Sequence, residues 1–239
     1  LYGFQNAKKS FSTGDWLKLT NQKILQCRKI KKIPILVGGT GLYFKALTEG
    51  LVNIPKIPIN FRNKVRNLHK RIGQKKFFQK LLQIDPLIKD QINSLDTQRS
   101  IRAYEIKSFT KKSMISWFKN TKSDYSHNDF FKICIDFPRK DLIERINQRS
   151  ENMIKQGAIL EVKKFIKLRV PKNKSLSKAI GISEIKQYLQ KKIQTEQLIE
   201  KISIKTRQYA KRQSTWARGH MKDWNKVNPA GLDKLLKKI

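Results

Sequence analysis

Acidic side chains are scarce in this chain. Against 53 lysines and arginines stand 18 aspartates and glutamates, a formal net charge of +35 over 239 residues. That imbalance excludes a surface built for cationic partners and makes a polyanion, nucleic acid above all, the natural one. A general bias toward lysine, isoleucine and asparagine is the alternative source of part of the excess. Cysteine is nearly absent: Cys27 and Cys134 lie far apart and neither sits in a C-x-x-C, so a disulfide framework and a zinc ribbon are both excluded. The two thiols fit a reduced, cytosolic setting. His69, His127 and His220 have no metal-ligand spacing, and no metal held by protein side chains is expected. No apolar run approaches the roughly 18 residues of a membrane span. No signal peptide is visible, no repeat of 20–50 residues occurs, and the phosphate-loop pattern G-x-x-x-x-G-K-[ST] is missing.

Among what is present, residues 35 to 44 are the most informative: Ile-Leu-Val-Gly-Gly-Thr-Gly-Leu-Tyr-Phe. Ile33 to Val37 has the length and branching of a buried strand. Gly38 and Gly39 would turn the chain at that strand's carboxyl edge, where open parallel sheets bind ligands and where backbone N–H groups can face an anion. A structural Gly-Gly turn in any α/β protein is the plain alternative.

Helical periodicity runs from Phe11 to Ile30, with Ser12 or Thr13 as N-cap. Gly41 to Leu51 reads as a short helix, and Ile54-Pro55-Lys56-Ile57-Pro58 breaks the pattern. Two apolar stripes follow, Phe61, Val65, Leu68 and Ile72, then Phe77, Leu81 and Ile84. Pro86 can open a further short helix, and Asp96 looks like the cap of a helix from Thr97 to Phe109. Phe130 to Phe137 is a second strand candidate. Helices are expected from Pro138 to about Gln156, ended by Gly157, from Ala158 to Arg169, from Ile182 to Leu189, and from Thr195 to Arg218. The segment Val170 to Ser175 is a loop. The domain reading is residues 1–56 as part of an α/β core, 57–112 as an inserted helical subdomain, and 113–239 as the rest of the core with a long basic helix.

Taken with four later blocks, the Val-Gly-Gly-Thr-x-Leu-Tyr pattern resembles the tRNA dimethylallyltransferase (tRNA isopentenyltransferase) family. The blocks are Asp96-Thr97-Gln98-Arg99-Ser100-Ile101-Arg102-Ala103, Lys178-Ala179-Ile180-Gly181, Thr206-Arg207-Gln208, and Lys211-Arg212-Gln213-Ser214-Thr215-Trp216. Each is weak alone; five in order are specific. The resemblance implies an α/β fold with a P-loop NTPase-like parallel sheet core, a helical insert and a helix-rich carboxyl half. It implies transfer of a dimethylallyl group from dimethylallyl diphosphate, accompanied by Mg²⁺, to the exocyclic N6 amine of an adenine beside the tRNA anticodon. Family members begin with a P-loop and a segment carrying a catalytic aspartate. This chain starts at Leu1 without either, so it is expected to be a fragment, incomplete at its amino terminus and inactive by itself. The expected partners are the tRNA anticodon stem-loop and the diphosphate, in a cytoplasmic monomer with no membrane association.

The resemblance places Thr40 in the reaction channel as the catalytic residue, its hydroxyl able both to donate and to accept; a cap on the following helix is the alternative. Gly38 and Gly39 would let backbone approach the substrate. Gln98, Arg99, Ser100, Ile101 and Arg102 become tRNA-contacting, with a solvated salt-bridge face involving Asp96 and Glu105 as the alternative; Arg62 aligns with a family arginine that also touches tRNA, with an ordinary surface arginine as the alternative. Lys178 and Gly181 belong to a further tRNA-contacting block, which departs from the family where Ile182 and Ser183 replace the usual aromatic and arginine. Lys211, Arg212, Gln213, Trp216 and Arg218 combine cations with an aromatic, which suits RNA backbone contact; core packing is the alternative for Trp216. Arg145 and Arg149, four apart on one helix, could hold the diphosphate, unless Asp141 and Glu144 pair with them. Two other readings stay open: a non-catalytic basic RNA-binding module, and another phosphate-handling enzyme such as a nucleotide kinase.

Overall fold

In the computed structural model, which describes residues 1, 3–172 and 174–237, ten α-helices and two short strands are assigned. The chain divides into two compact units, Leu1–Lys45 with Asn128–Ile239, and Ala46–His127. Asn173, placed in a loop by the sequence, lies outside the described residues.

The first unit opens with α1 (Thr13–Lys29). Its start is a capping box: the Asp15 N–H donates to the Ser12 hydroxyl at 3.1 Å, and the Ser12 N–H donates back to the Asp15 carboxylate at 2.9 Å. The Ser12 hydroxyl also donates to the Asp15 carboxylate at 2.7 Å, and this bond, followed by that from the Ser12 N–H, holds the Asp15 carboxyl below its ordinary range. The residues expected to form a buried strand, Ile33 to Val37, are in neither a strand nor a helix. Ile33, Ile35 and Val37 are 81%, 80% and 80% exposed, because no neighbouring strand among the described residues supplies the ladder that buries such a run. The sheet that does form is parallel and has two strands, β1 (Ile133–Ile135) against β2 (Asn225–Val227), with Cys134 opposite Lys226. Only three residues of the 130–137 run become strand, since β2 offers only three to pair with. Burial raises the Cys134 thiol above its usual value, with the Asp136 charge adding to it.

Helices build the rest of this unit. Pro138 leads into α6 (Arg139–Lys155), and Gly157, at φ 99°, separates it from α7 (Ala158–Lys167). A left-handed residue at that joint costs glycine nothing. Helices α7, α8 (Ile182–Leu189) and α9 (Thr195–His220) share a core of Ala158, Val162, Ile182, Ile185, Leu198 and Ile202. Truncating a fully buried member such as Leu198 to alanine would cost about 2–5 kcal/mol. The α10 helix (Leu232–Leu236) follows β2.

The second unit is helical. The α2 helix (Gly41–Thr48) runs into it, then α3 (Ile59–Ile84) packs on α4 (Thr97–Thr110). The two stripes read from the sequence are the two halves of α3, separated by a kink at Gly73 (φ 74°). Asp96 caps α4, accepting from the Arg99 N–H at 2.9 Å. The core is Ile57, Phe78, Leu81, Ile88, Ile92, Ala103, Ile106 and Met114. This unit is wider than the 57–112 read from the sequence. Met114 of α5 (Met114–Phe118) enters its core, and the Ser123 hydroxyl donates to the Leu47 carbonyl at 2.7 Å. No described helix is long and apolar enough to cross a membrane.

Candidate functional site

The Gly38–Gly41 turn and the basic block on α9, far apart in sequence, meet. The Gln213 side-chain amide donates to the Gly39 carbonyl at 2.8 Å. A Cβ on Gly39 would strike that amide, and one on Gly41 would strike the six-membered ring of Trp216. Neither Gly38 nor Gly39 has a positive φ, so the turn does not depend on left-handed backbone. It uses the absence of side chains, which lets α9 lie against it. The Tyr43 N–H donates to the Thr40 carbonyl at 2.9 Å, closing the first turn of α2. Thr40 itself is exposed. Its hydroxyl therefore stands free for solvent or ligand beside a carbonyl already committed to the helix.

Aromatic contacts brace this turn. Tyr43 stacks on Trp16 of α1 with ring centroids 4.6 Å apart, and Phe44 meets Trp224 edge-on at 5.5 Å. Trp216 is half-buried and stacks on His220 with ring centroids 4.4 Å apart and nearly parallel planes. Its ring is thus held on both sides, and the core alternative describes it better than a free stacking platform. Lys211, Arg212 and Arg218 are exposed, with the Arg212 guanidinium over Tyr209. Gln213 was singled out by its motif, but its bond to Gly39 has no sequence signal. Nothing in the local sequence brings Trp16 and Trp224 to this turn, or Gly41 against Trp216.

Gly181 is buried at φ 100°, and its N–H donates to the Glu184 carboxylate at 2.9 Å. Lys205 of α9 pairs with the same carboxylate. Burial pushes the Glu184 carboxyl up, but Lys205 and the N–H groups of Glu184 and Gly181 outweigh it, so the group ends below its ordinary value. Lys178, three residues before Gly181, is exposed.

Arg145 and Arg149 line a cavity of about 710 Å³ with Gln148, Asn152, Gln156 and Glu161. The alternative in which Asp141 and Glu144 pair with them is not realised among the described residues: Glu144 accepts from Gln148 at 3.2 Å, and the Arg145 guanidinium lies over Phe137 at 5.0 Å. None of the lining residues belongs to the Gly38–Gly41 turn.

In the second unit, α3 and α4 bring Arg62 and Arg102 onto one carboxylate, Glu105, at 3.1 and 3.3 Å. Arg66, which the sequence reading passed over, reaches its other oxygen at 3.8 Å. The i,i+4 spacing of Arg62 and Arg66 on α3 was the available signal. Arg99 pairs with Asp96 at 3.4 Å, so part of the salt-bridge alternative is realised, while Gln98 is exposed. Ser100 is buried, donating to the Asp96 carbonyl at 2.7 Å and accepting from Gln74 at 3.2 Å, and Ile101 is half-buried. Ser100 therefore sits inside the helix pair rather than on its outer face. No group of three or more His, Cys, Asp or Glu side chains gathers among the described residues.

Comparison with known proteins adds a second line of observation. The family described as IPP transferase matches residues 1–220. A tRNA dimethylallyltransferase of Pelagibacter ubique (strain HTCC1062) is 57% identical over 239 residues, covering all of this chain and 76% of that protein. The enzyme of the same name from Rickettsia massiliae (strain Mtu5) is 41% identical over 93% of this chain and 62% of its own length. Among solved structures, the tRNA isopentenylpyrophosphate transferase of Staphylococcus epidermidis aligns over 98% of this chain and 78% of its own, with TM-score 0.60 and 26% identity. A eukaryotic dimethylallyltransferase acting on tRNA shares the fold, with TM-score 0.74 and 23% identity over 90% of this chain and 55% of that one.

Proposed function

This chain belongs to the IPP transferase family, and from that premise we propose that it serves tRNA prenylation. A dimethylallyl group passes from dimethylallyl diphosphate to the N6 amine of an adenine beside the tRNA anticodon. The observation that carries this reading for the site is the meeting of the Gly38–Gly41 turn with α9, where Gln213 holds the Gly39 carbonyl. It joins two of the blocks that mark the family.

An exocyclic aromatic amine is a weak nucleophile, and it must be oriented toward the prenyl carbon as its proton departs. The exposed Thr40 hydroxyl can accept from that amine. The α9 contact fixes the turn that carries it, with Gly38 and Gly39 leaving room beside it. The departing diphosphate needs cationic donors, a role that suits Arg145 and Arg149, which line a cavity and form no described ion pair. Mg²⁺ accompanying the diphosphate would offset the charge that develops as it departs. Arg62, Gln98, Arg99, Arg102, Lys178, Lys211, Arg212 and Arg218 supply half-exposed or exposed polar and cationic groups for the anticodon stem-loop. Ser100, Ile101, Gly181, Gln213 and Trp216 act from within, by holding the elements that carry those groups. The reading is of a monomer working in the cytoplasm.

The test is incubation of the natural protein carrying this chain with unmodified tRNA, dimethylallyl diphosphate and Mg²⁺, followed by mass analysis of the digested nucleosides. A prenylated adenosine from the anticodon loop is expected. Tight tRNA binding with no product would favour a non-catalytic RNA-binding module.

A further inference from the structure

We infer that Glu105 is a positioning residue, which gathers Arg62, Arg66 and Arg102 into one rigid face that grips the RNA phosphate backbone. The inference rests on the tRNA reading above and adds two residues, Glu105 and Arg66, that it does not contain. The Glu105 side chain is 1% exposed, yet three arginines converge on it. Its Oε2 accepts from Arg62 Nε at 3.1 Å and from Arg102 Nη1 at 3.3 Å. Its Oε1 has no hydrogen-bond partner, only the Arg66 Nε at 3.8 Å.

A buried carboxylate needs one good bidentate arginine to satisfy it. Here it has three partial ones, so the cluster keeps a positive surplus at its surface. The guanidinium side chains are 36%, 45% and 40% exposed. Among the described residues they make no other ion pair or side-chain hydrogen bond, so most of their N–H groups point to no protein acceptor. Asp96, the cap of α4, is taken by Arg99. Arginine carries much rotamer entropy, and a shared buried anchor removes that cost before a ligand arrives. Planar forks held at fixed spacing match successive phosphates along a strand. The occupant is RNA rather than a small anion, because Glu105 already fills the point on which the three groups converge and leaves their outward N–H groups, carried on two helices, for phosphates.

The charge arithmetic makes the inference testable. Glu105→Gln raises the net positive charge, so a simple electrostatic field predicts tighter tRNA binding. Loss of positioning predicts weaker binding, by about tenfold near 100 mM salt, with the slope of log affinity against log salt reduced by about one. The experiment titrates labelled unmodified tRNA with the natural protein and its Glu105→Gln, Arg62→Gln, Arg66→Gln and Lys76→Gln variants at several salt concentrations. Lys76 is exposed on the same helix and outside the cluster. Arg62→Gln should cost less in the Glu105→Gln background than alone. Helical circular dichroism checks folding. If Glu105→Gln unfolds the unit, Arg66→Gln carries the test, since it leaves the Arg62–Glu105–Arg102 bridge intact. It should weaken binding several-fold more than Lys76→Gln. Equal effects, or unchanged or tighter binding by a folded Glu105→Gln, would overturn the inference while leaving tRNA as substrate. Failure of the unaltered protein to bind tRNA would overturn both.

Discussion

The side-chain amide of Gln213 on α9 donates to the carbonyl of Gly39 at 2.8 Å, and one helical turn on, Trp216 lies where a Cβ on Gly41 would be. These contacts differ in what they tolerate. The atom facing Gly39 is the far end of a flexible side chain. The one facing Gly41 is a ring held on its other face by His220. Gly39→Ala should therefore cost little beyond the hydrogen bond, about 0.5–1.5 kcal/mol. Gly41→Ala should cost about 1–3 kcal/mol through overpacking. Denaturant unfolding measures both, and adding Trp216→Ala should recover part of the Gly41→Ala loss but none of the Gly39→Ala loss.

Glu184 ties Gly181 to Lys205 of α9, and its carboxyl is held below its ordinary value. A depressed carboxylate contributes stability that is fully present above its unfolded value and disappears as pH falls through the folded one. The thermal midpoint of the wild type should drop across the acid range below the ordinary glutamate value. Glu184→Gln should lie lower at neutral pH and show a flatter acid limb. Parallel acid limbs in the two proteins would remove Glu184 from the account.

Arg145 and Arg149 line the cavity on α6 with no described acidic partner. If they hold the diphosphate, Arg149→Ala should raise the KM for dimethylallyl diphosphate about tenfold, while leaving the Kd for tRNA within about twofold. Steady-state kinetics with each substrate varied in turn separates the two. A change in tRNA affinity alone would reassign the pair to RNA.

Local signals carried most of the fold. The Ser12 capping box, the Asp96 cap, the Gly157 break and the stripes of α3 are written within a few residues of where they act. Pairing is different. Ile33 to Val37 has every local mark of a strand and forms none, while Asn225–Val227, polar at two of its three positions, becomes one because Lys132–Asp136 lies beside it. Strand identity depends on a partner that no window of sequence contains. The candidate site divides in the same way. Its residue types were legible in the motif blocks. That Gly39 and Gly41 meet α9, or that Arg62 and Arg102 share Glu105, follows only from tertiary contact.

Single-turnover prenyl transfer by Thr40→Ala tests the central claim most directly, with tRNA affinity measured on the same preparation. If the Gly38–Gly41 turn presents Thr40 to the target amine, the transfer rate should fall about 100-fold, as expected for misorientation at the reacting centre. The Kd for tRNA should stay within about twofold, and Thr40→Ser should keep much of the rate. A Thr40→Ala protein that transfers the dimethylallyl group at the wild-type rate would contradict the account.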